Sequence, residues 1–366
     1  MSDLKMFSNR SVLVTGHTGF KGSWLSAWLC HIGSQVTGVS LAPPSVPSHF
    51  DVVELSEVMK DRKLDICNPD RLKALVLETQ PDFVFHLAAQ SLVGRSFDDP
   101  LGTYQTNVQG TLNLLEALRL INKPCVAILI TSDKCYENVE WIWGYRENDQ
   151  LGGSDPYSAS KSATEIMIRS HVKSFFPQEG PVRIGVARAG NVIGGGDWAN
   201  DRIVPDCIRA WAKGDTALLR NPHSTRPWQH VLEPLSGYLS LALELYERPQ
   251  LHGQPFNFGP NSQETYSVLE LVKTKSKYWP GVSWKEAPQF SNTLRESQLL
   301  QLNCDKAERL LNWRATLSFE EAVRMTAEWY YFFYENQTAI REVTFAQIRE
   351  YETLFLERRK HKGSEV

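Results

Sequence analysis

The chain of 366 residues is 42% apolar and 22% charged, and 39 basic against 42 acidic side chains leave a net charge of −3. This balance is that of an ordinary folded protein, and it excludes a mainly disordered chain. The near-neutral charge makes nucleic acid and anionic membranes unexpected partners, and no apolar run reaches the length that a membrane helix requires.

Six cysteines are spread along the chain without a CxxC pair or another spacing typical of a zinc site. We therefore expect reduced, free thiols and no metal centre. The first residues also lack the basic and apolar regions of a secretory signal. Together these features predict a cytoplasmic protein.

The first half of the chain alternates between short apolar strands and amphipathic helices. Strands are predicted at 11–16, 35–41, 82–89, 125–132 and 182–192, and helices at 20–33, 69–79, 103–121 and 155–175. This rhythm is typical of parallel strands joined by helical crossovers on both faces of a sheet. The predicted fold class is therefore α/β, a Rossmann-type doubly wound parallel sheet.

The rhythm breaks near residue 192. Helices are predicted beyond it at 203–213, 235–246, 266–279 and 319–335, and a strand at 255–259. We interpret residues 193–366 as a smaller C-terminal α/β lobe that binds substrate, packed on a sheet domain at 1–192. The chain is expected to cross between the two lobes.

A glycine-rich turn, GHTGFKG at 16–22, joins the first strand to the first helix. Glycines at such a junction let the backbone approach a pyrophosphate, and the helix N-terminus that follows offers free N–H groups. The spacing alone is weak evidence, because any strand–helix turn can carry glycines. Its position after the first strand predicts a dinucleotide phosphate site. The predicted contacts are Gly16, Thr18, Gly19, Phe20, Lys21 and Gly22.

Tyr157 and Lys161 are four residues apart on a predicted helix, so they share a face. An ammonium one turn from a phenol stabilises the phenolate, which suits proton transfer. An amphipathic helix that carries these two residues by chance is the alternative. Catalysis is favoured because Ser132, Asp133 and Lys134 stand at the end of a predicted strand, where doubly wound sheets bind their ligands.

Six segments together resemble the extended short-chain dehydrogenase/reductase family over essentially the whole chain, and within it the nucleotide-sugar 4,6-dehydratases. They are GHTGFKGSWL, HLAAQSLV, TSDKCYEN, YSASK, RAGNVIGGGDW and RPWQHVLEP. The resemblance implies NAD as the cofactor, a nucleotide sugar as the substrate, and loss of water across C5 and C6 of its hexose. Asp133 favours a dehydratase, because an epimerase of this family would normally lack the acid.

The resemblance also implies catalytic roles. Tyr157, as the phenolate, takes the proton of the sugar 4-hydroxyl, and Ser132 hydrogen-bonds the 4-oxygen. Lys161 holds the nicotinamide ribose and lowers the pKa of Tyr157. Asp133, protonated, donates to the departing 6-hydroxyl. Related dTDP-glucose enzymes have Glu where this chain has Lys134, so this residue is either the C5 base as a neutral amine, a group that polarises the enolate, or a partner of Asp133.

The cofactor contacts beyond the glycine turn are less complete. The second predicted strand ends near Ser40, without the acidic residue that usually binds the adenosine ribose of NAD. NAD is therefore inferred from the redox-neutral reaction, with loose binding of that ribose. Asp65 and Ile66 resemble the family's adenine-contacting pair, although Asp65 could equally cap a loop. Ala88 and Ala89 are small residues that let a strand end approach the cofactor.

A nucleotide sugar carries two phosphate charges, which arginine side chains bind well. Arg202 and Arg226 lie in predicted loops beside aromatic residues and are predicted to bind the substrate, although either could form a surface ion pair. Gln90 and Asn191 are further predicted substrate contacts.

The family resemblance also implies subunit pairing. The helices at 103–121 and 157–175 are expected to form a four-helix bundle with those of a second copy, giving a homo-dimer or tetramer. We expect a role in making deoxysugars of a bacterial surface polysaccharide. Two alternatives stay open: a nucleotide-sugar 4-epimerase or reductase of the same fold, and a non-catalytic dinucleotide-binding regulator.

Overall fold

The computed structural model describes residues 3–200, 202–260, 265–287, 299–336 and 339–360. Its strands are β1 (Ser11–Thr15), β2 (Gln35–Ser40), β3 (Lys60–Lys63), β4 (Phe83–His86), β5 (Cys125–Ile130), β6 (Val182–Ala189), β7 (Val192–Ile193), β8 (Ala217–Leu219), β9 (Thr225–Arg226), β10 (Gln229–His230), β11 (Pro255–Phe258), β12 (Tyr266–Ser267) and β13 (Trp284–Glu286). Its α-helices are α1 (Phe20–Ile32), α2 (His49–Val52), α3 (Pro69–Thr79), α4 (Val93–Asp98), α5 (Pro100–Tyr104), α6 (Gly110–Leu118), α7 (Pro156–Phe175), α8 (Ile203–Trp211), α9 (Leu232–Glu247), α10 (Val268–Ser276), α11 (Asp305–Leu311), α12 (Phe319–Tyr331) and α13 (Ile340–Lys360).

Seven parallel strands form the main sheet in the order β11-β6-β5-β4-β1-β2-β3. The central strands are buried on both faces, which explains their nearly continuous apolar sequences. Helices α1 and α9 pack on one face, and α3, α6 and α7 pack on the other. The predicted α/β, doubly wound sheet is confirmed.

Two of the predicted helices carry or flank the site. The helix predicted at 155–175 is α7, which begins one residue later because the Asp155 carboxylate accepts the N–H of Ser158 as its cap. The helix predicted at 103–121 begins earlier, with α5, and continues through a π-helical turn at Gln105–Gln109 into α6. Both helices pass close to the carboxyl ends of the strands.

The second half of the chain contributes to the main sheet. Strand β11 pairs with β6, and α9 packs on β5 and β6. The division at residue 192 into two domains stays a prediction, since the sheet itself contains residues from both sides of it. In the described residues, no helix combines the length and the apolar character needed to cross a membrane.

Candidate active site

The glycine turn (residues 16–22) lies in direct contact with the end of β4. Gly16 has a φ of +76°, and a Cβ there would lie 2.6 Å from the backbone nitrogen of Ala88. A Cβ on Gly22 would lie 2.1 Å from the carbonyl oxygen of Gly16. Both positions therefore need glycine. Gly19 is less confined, because its Cβ would meet that oxygen at 3.3 Å.

The N-terminus of α1 is open towards the carboxyl edge of the sheet. Gly19 is its N-cap and supplies no side-chain hydrogen bond, so the N–H groups of the first turn are available to an anion. Thr18 ties the turn to the end of β2, since its hydroxyl lies 2.8 Å from that of Ser40. These residues fit the pyrophosphate of a dinucleotide, without a carboxylate for its adenosine ribose.

The strand end beside the turn is fixed by a buried histidine. Thr15 Oγ1 lies 2.7 Å from His86 Nδ1, and Thr111 Oγ1 lies 2.9 Å from His86 Nε2. The N–H of Ala88 donates to the same Thr15 hydroxyl at 3.2 Å, and Ala89 follows it, partly buried. Burial lowers the pKa of His86 to about 3, so the ring is neutral and structural.

Ser132 and Asp133 stand together at the end of β5. The Ser132 hydroxyl donates to Asp133 Oδ1 at 2.9 Å and accepts the N–H of Lys134 at 3.2 Å. Asp133 is 7% exposed, and a Cβ on Gly190 would lie 3.0 Å from its Oδ2. Burial raises the pKa of Asp133, although Lys134 and the Ser132 hydrogen bond oppose the rise. A carboxyl in this position can carry a proton and deliver it.

Tyr157 faces the same pocket from the first turn of α7. It is 7% exposed, and the Ser132 hydroxyl lies close enough to lower its pKa. Burial raises the pKa of Tyr157 to about 12, and the nearby Asp133 charge contributes to the rise. The pKa of Tyr157 is therefore raised in the protein alone, whereas the presence of Lys161 led us to expect that it is lowered. The Lys161 ammonium lies 6.0 Å from the centre of the phenol ring, and burial lowers its own pKa to about 8.

Two more cations face this polar cluster (Ser132, Asp133, Lys134, Tyr157 and Lys161). Lys21 Nζ lies 3.5 Å from the Gly190 carbonyl oxygen; burial lowers its pKa to about 8, with Asp133 opposing and Arg202 adding to the shift. The Arg202 guanidinium pairs with Asp197 at 2.8 Å and its charge lowers the pKa of Tyr157. Arg202 thus makes an ion pair and also belongs to the site.

The predicted adenine contacts lie beyond β3. Asp65 is exposed and its carboxylate accepts the N–H of Cys67 at 2.9 Å, which is the loop-cap arrangement. Ile66 is 4% exposed, and its carbonyl accepts the side-chain amide of Asn113 at 3.0 Å. Ile66 also packs against Gly110, where a Cβ would meet its Cδ1 at 2.5 Å. Their contact with adenine stays a prediction.

The remaining predicted contacts are dispersed. The Gln90 amide donates to the Thr103 hydroxyl at 3.0 Å and accepts the N–H of Leu92 at 2.7 Å, so it already stabilises its own loop. Asn191 is exposed just beyond β6. Arg226 lies in β9, where its guanidinium donates to the Thr225 carbonyl at 2.8 Å. Their roles in substrate binding stay predictions. Phe20 packs towards Gly194, where a Cβ would meet its ring at 3.2 Å.

The partner of His17 was not predicted from the sequence. The buried His17 ring lies 2.9 Å from the carboxylate of Asp61 on β3. The ring packs against Gly38, where a Cβ would lie only 2.3 Å from it. The histidine was visible within the glycine turn, whereas no local signal marks Asp61, because all four residues of β3 are exposed and charged.

Two comparisons of sequence identify the family. Residues 13–326 match the family model described as GDP-mannose 4,6 dehydratase. A CDP-glucose 4,6-dehydratase of Salmonella typhimurium is 42% identical over 335 residues, which cover 90% of this chain and 93% of that protein. A UDP-glucose 4-epimerase of Mycoplasma pneumoniae is 26% identical, over 89% of this chain and 98% of the epimerase.

A solved structure agrees with the fold. The dTDP-glucose 4,6-dehydratase of Bacillus anthracis, determined in complex with NAD, superposes with a TM-score of 0.69 at 19% identity, covering 87% of this chain and 96% of that one. At this identity the likeness supports the fold alone. The sequence matches go further: the chain belongs to the nucleotide-sugar 4,6-dehydratases of the extended short-chain dehydrogenase/reductase family.

Proposed function

We propose that this protein converts CDP-glucose to CDP-4-keto-6-deoxyglucose and water, with NAD as a recycled cofactor. We propose cytosine as the base and glucose as the sugar because the 42% identical Salmonella relative is a CDP-glucose 4,6-dehydratase. One observation carries the reaction type: a buried carboxyl, Asp133, is hydrogen-bonded to the Ser132 hydroxyl and raises the pKa of the nearby Tyr157 by its charge. A simple dehydrogenase or an epimerase has no need of a proton-donating carboxyl there.

The first stage oxidises the sugar at C4. NAD, held at the glycine turn, would supply reversible hydride transfer, so that oxidation at C4 and reduction at C6 cancel and no net oxidation results. Tyr157 accepts the proton of the 4-hydroxyl, and Ser132 donates a hydrogen bond to the 4-oxygen. Because the pKa of Tyr157 is about 12 in the protein alone, the phenolate requires the positive charges that face it, including Arg202.

The second stage removes water. The 4-keto group acidifies the hydrogen at C5, and Lys134, next to Asp133 in the chain, is the proposed base that takes this proton. Asp133 donates its proton to the departing 6-hydroxyl. Burial raises the pKa of Asp133, which is the direction that an acid working near neutral pH requires.

The phosphates of the substrate are proposed to lie between the sheet edge and the second half of the chain, with Arg202, Arg226 and Asn191 as contacts and Gln90 beside the sugar. Arginine suits this role because its planar guanidinium matches phosphate oxygens. The setting is proposed to be the cytoplasm, in deoxysugar synthesis for a surface polysaccharide.

The protein is further proposed to be a homo-oligomer. Large apolar side chains are exposed on α5 and α7: Leu101 is 83% exposed, Ile166 49% and Phe175 48%. Exposed apolar groups on neighbouring helices are typical of a face that pairs with another copy. A dimer or tetramer joined through a four-helix bundle would cover them.

The substrate assay compares CDP-glucose with dTDP-glucose, UDP-glucose and GDP-mannose in the presence of NAD. The alkali-induced ultraviolet absorbance of a 4-keto-6-deoxy sugar is expected with CDP-glucose, at a higher rate than with the other three. Formation of the 4-epimer with no such absorbance would instead support the epimerase alternative. Binding of NAD without turnover of any sugar would support the regulator.

A further inference from the structure

Three polar side chains of α7 lie at intervals of four residues: Tyr157, Lys161 and Glu165. This spacing places them on one face of the helix. All three are buried, and Glu165 is 5% exposed. The mechanism uses the first two, whereas Glu165 lies one turn beyond Lys161 and away from the substrate.

The Glu165 carboxylate joins three elements of the site. The Arg188 guanidinium of β6 binds it in parallel, with Nε at 2.8 Å from Oε1 and Nη2 at 2.9 Å from Oε2. The Thr131 hydroxyl donates to the same Oε1 at 2.5 Å. Because Thr131 directly precedes Ser132, one carboxylate connects the helix that carries Tyr157 to the strand end that carries Ser132.

Stability alone does not explain a charge at this position. Removing two charges from water costs several kcal/mol per ion, and an apolar pair of similar volume often stabilises a core equally well. The Arg188 guanidinium needs a second partner as well, which it finds in the Tyr136 hydroxyl at 2.7 Å. The charge of Glu165 therefore points to a role beyond packing.

Titratable or charged groups surround Lys161 from five elements: Tyr157 and Glu165 on α7, His86 on β4, Asp133 and Cys135 after β5, Lys21 on α1, and Arg188 behind Glu165. Burial lowers the pKa of His86 to about 3 and raises that of Cys135 well above its ordinary value, so both are neutral at neutral pH. Lys21 repels the ammonium. Cys135 and, after it, Glu165 oppose burial and raise the pKa of Lys161; since the Cys135 thiol is neutral at neutral pH, Glu165 is the charged group of the two.

We propose that Glu165 is a positioning residue for Lys161: its carboxylate places a negative charge one helical turn from Lys161 and, bound to Thr131 and Arg188, holds α7 against the strand end that carries Ser132. The inference rests on the proposed role of Lys161 in holding the nicotinamide ribose. Arg188 fixes the orientation of the carboxylate through its two parallel hydrogen bonds.

The test follows the alkaline limb of two pH profiles: the rate of 4-keto-6-deoxy sugar formation, and NAD affinity measured by tryptophan fluorescence. In the wild type both are expected to fall as pH rises through about 8, where Lys161 loses its charge. In Glu165→Gln the midpoint is expected about one pH unit lower, because an attraction across one helical turn is lost. Glu165→Asp keeps the charge and is expected to keep the midpoint.

Two further variants keep the test decisive. Glu165→Gln leaves Arg188 buried without its partner and could fail to fold, so Glu165→Gln/Arg188→Met removes both charges and is expected to shift the midpoint in the same direction, by less. Tyr136→Phe removes one hydrogen bond to Arg188 and changes no charge near Lys161. Its midpoint is expected to stay at the wild-type value. If the network acted on structure alone, Tyr136→Phe would shift the midpoint as Glu165→Gln does.

The outcomes separate the two proposals. An unchanged midpoint in both Glu165→Gln and Glu165→Gln/Arg188→Met overturns the role of Glu165, as does an equal shift in Tyr136→Phe. A wild type that forms no 4-keto-6-deoxy sugar overturns the proposed function, while the NAD titration still decides the role of Glu165.

Discussion

The glycine turn and the polar cluster lie at the same edge of the sheet but depend on different physical effects. The turn depends on shape, since Gly16 and Gly22 allow backbone contacts that no side chain would permit. The cluster depends on charge, because burial shifts the pKa of Asp133, Tyr157 and Lys161 away from their ordinary values. A substitution in the turn should therefore change folding and cofactor binding, whereas one in the cluster should change chemistry within a folded protein.

Gly22→Ala should break the turn most severely. Its Cβ would lie 2.1 Å from the Gly16 carbonyl oxygen, which cannot move without losing the contact of Gly16 with Ala88. The free energy of unfolding in urea is expected to fall by about 3 kcal/mol or more. Gly19→Ala is the matched control, expected within about 1 kcal/mol of the wild type. Equal stability of the two variants would show that the close contact is not required.

Acid should weaken the packing beneath the turn without a mutation. Burial lowers the pKa of His49, His86 and His230 from 6.5 to about 3. The unfolded chain therefore binds protons between these values that the folded chain does not, so stability falls as pH decreases through this range. Each histidine contributes up to about 1.4 kcal/mol per pH unit.

Urea unfolding at neutral and mildly acidic pH measures this loss. His230→Asn separates the effect of one histidine on stability from that of carboxyls such as Glu233. The pKa of Glu233 is raised to about 7, so this group stabilises the folded chain as pH decreases. The variant should lose less stability on acidification than the wild type. Equal losses would indicate that His230 is not kept neutral by the fold.

Ser40→Asp should give the turn the charge that it lacks. Ser40 ends β2, where dinucleotide-binding folds usually carry an acid for the adenosine ribose, and its hydroxyl lies 2.8 Å from that of Thr18. NAD affinity, followed by tryptophan fluorescence, is expected to rise up to about tenfold, corresponding to one charge-assisted hydrogen bond. Ser40→Asn, with the same size and no charge, should change little. No gain for Ser40→Asp over Ser40→Asn would place the ribose elsewhere.

Local signals identified candidate residues where they lie within one strand–helix unit. The glycine turn, Ser132-Asp133-Lys134 and the Tyr157–Lys161 pair can each be recognised from neighbours in sequence. The structure brings these segments together because parallel strands present their carboxyl ends at one edge. The upward direction of the Tyr157 pKa shift could not be predicted, because it depends on burial by remote parts of the chain.

Long-range pairings were not predictable from the pattern. The carboxylates of Asp61 and Glu165 meet His17 and Arg188 only in the folded chain. Helix α13 was missed for a related reason: its residues are mainly polar, and only the folded chain shows that Ile348 and Tyr351 are fully buried in the core and that Trp28 Nε1 donates to Glu352 at 2.8 Å. Sequence spacing predicts side-chain contacts within one strand–helix unit, whereas contacts between distant segments depend on the order of the strands in the sheet.

The most direct test of the account is Asp133→Asn, because an amide cannot donate the proton that water loss requires. In the proposed mechanism oxidation at C4 uses Tyr157 and Ser132, so addition of CDP-glucose to the NAD-loaded variant should still produce the absorbance of reduced nicotinamide. Formation of the 4-keto-6-deoxy product should slow by about 100-fold or more. Product formation at the wild-type rate would contradict the assignment of Asp133 as the acid and, with it, the proposed mechanism.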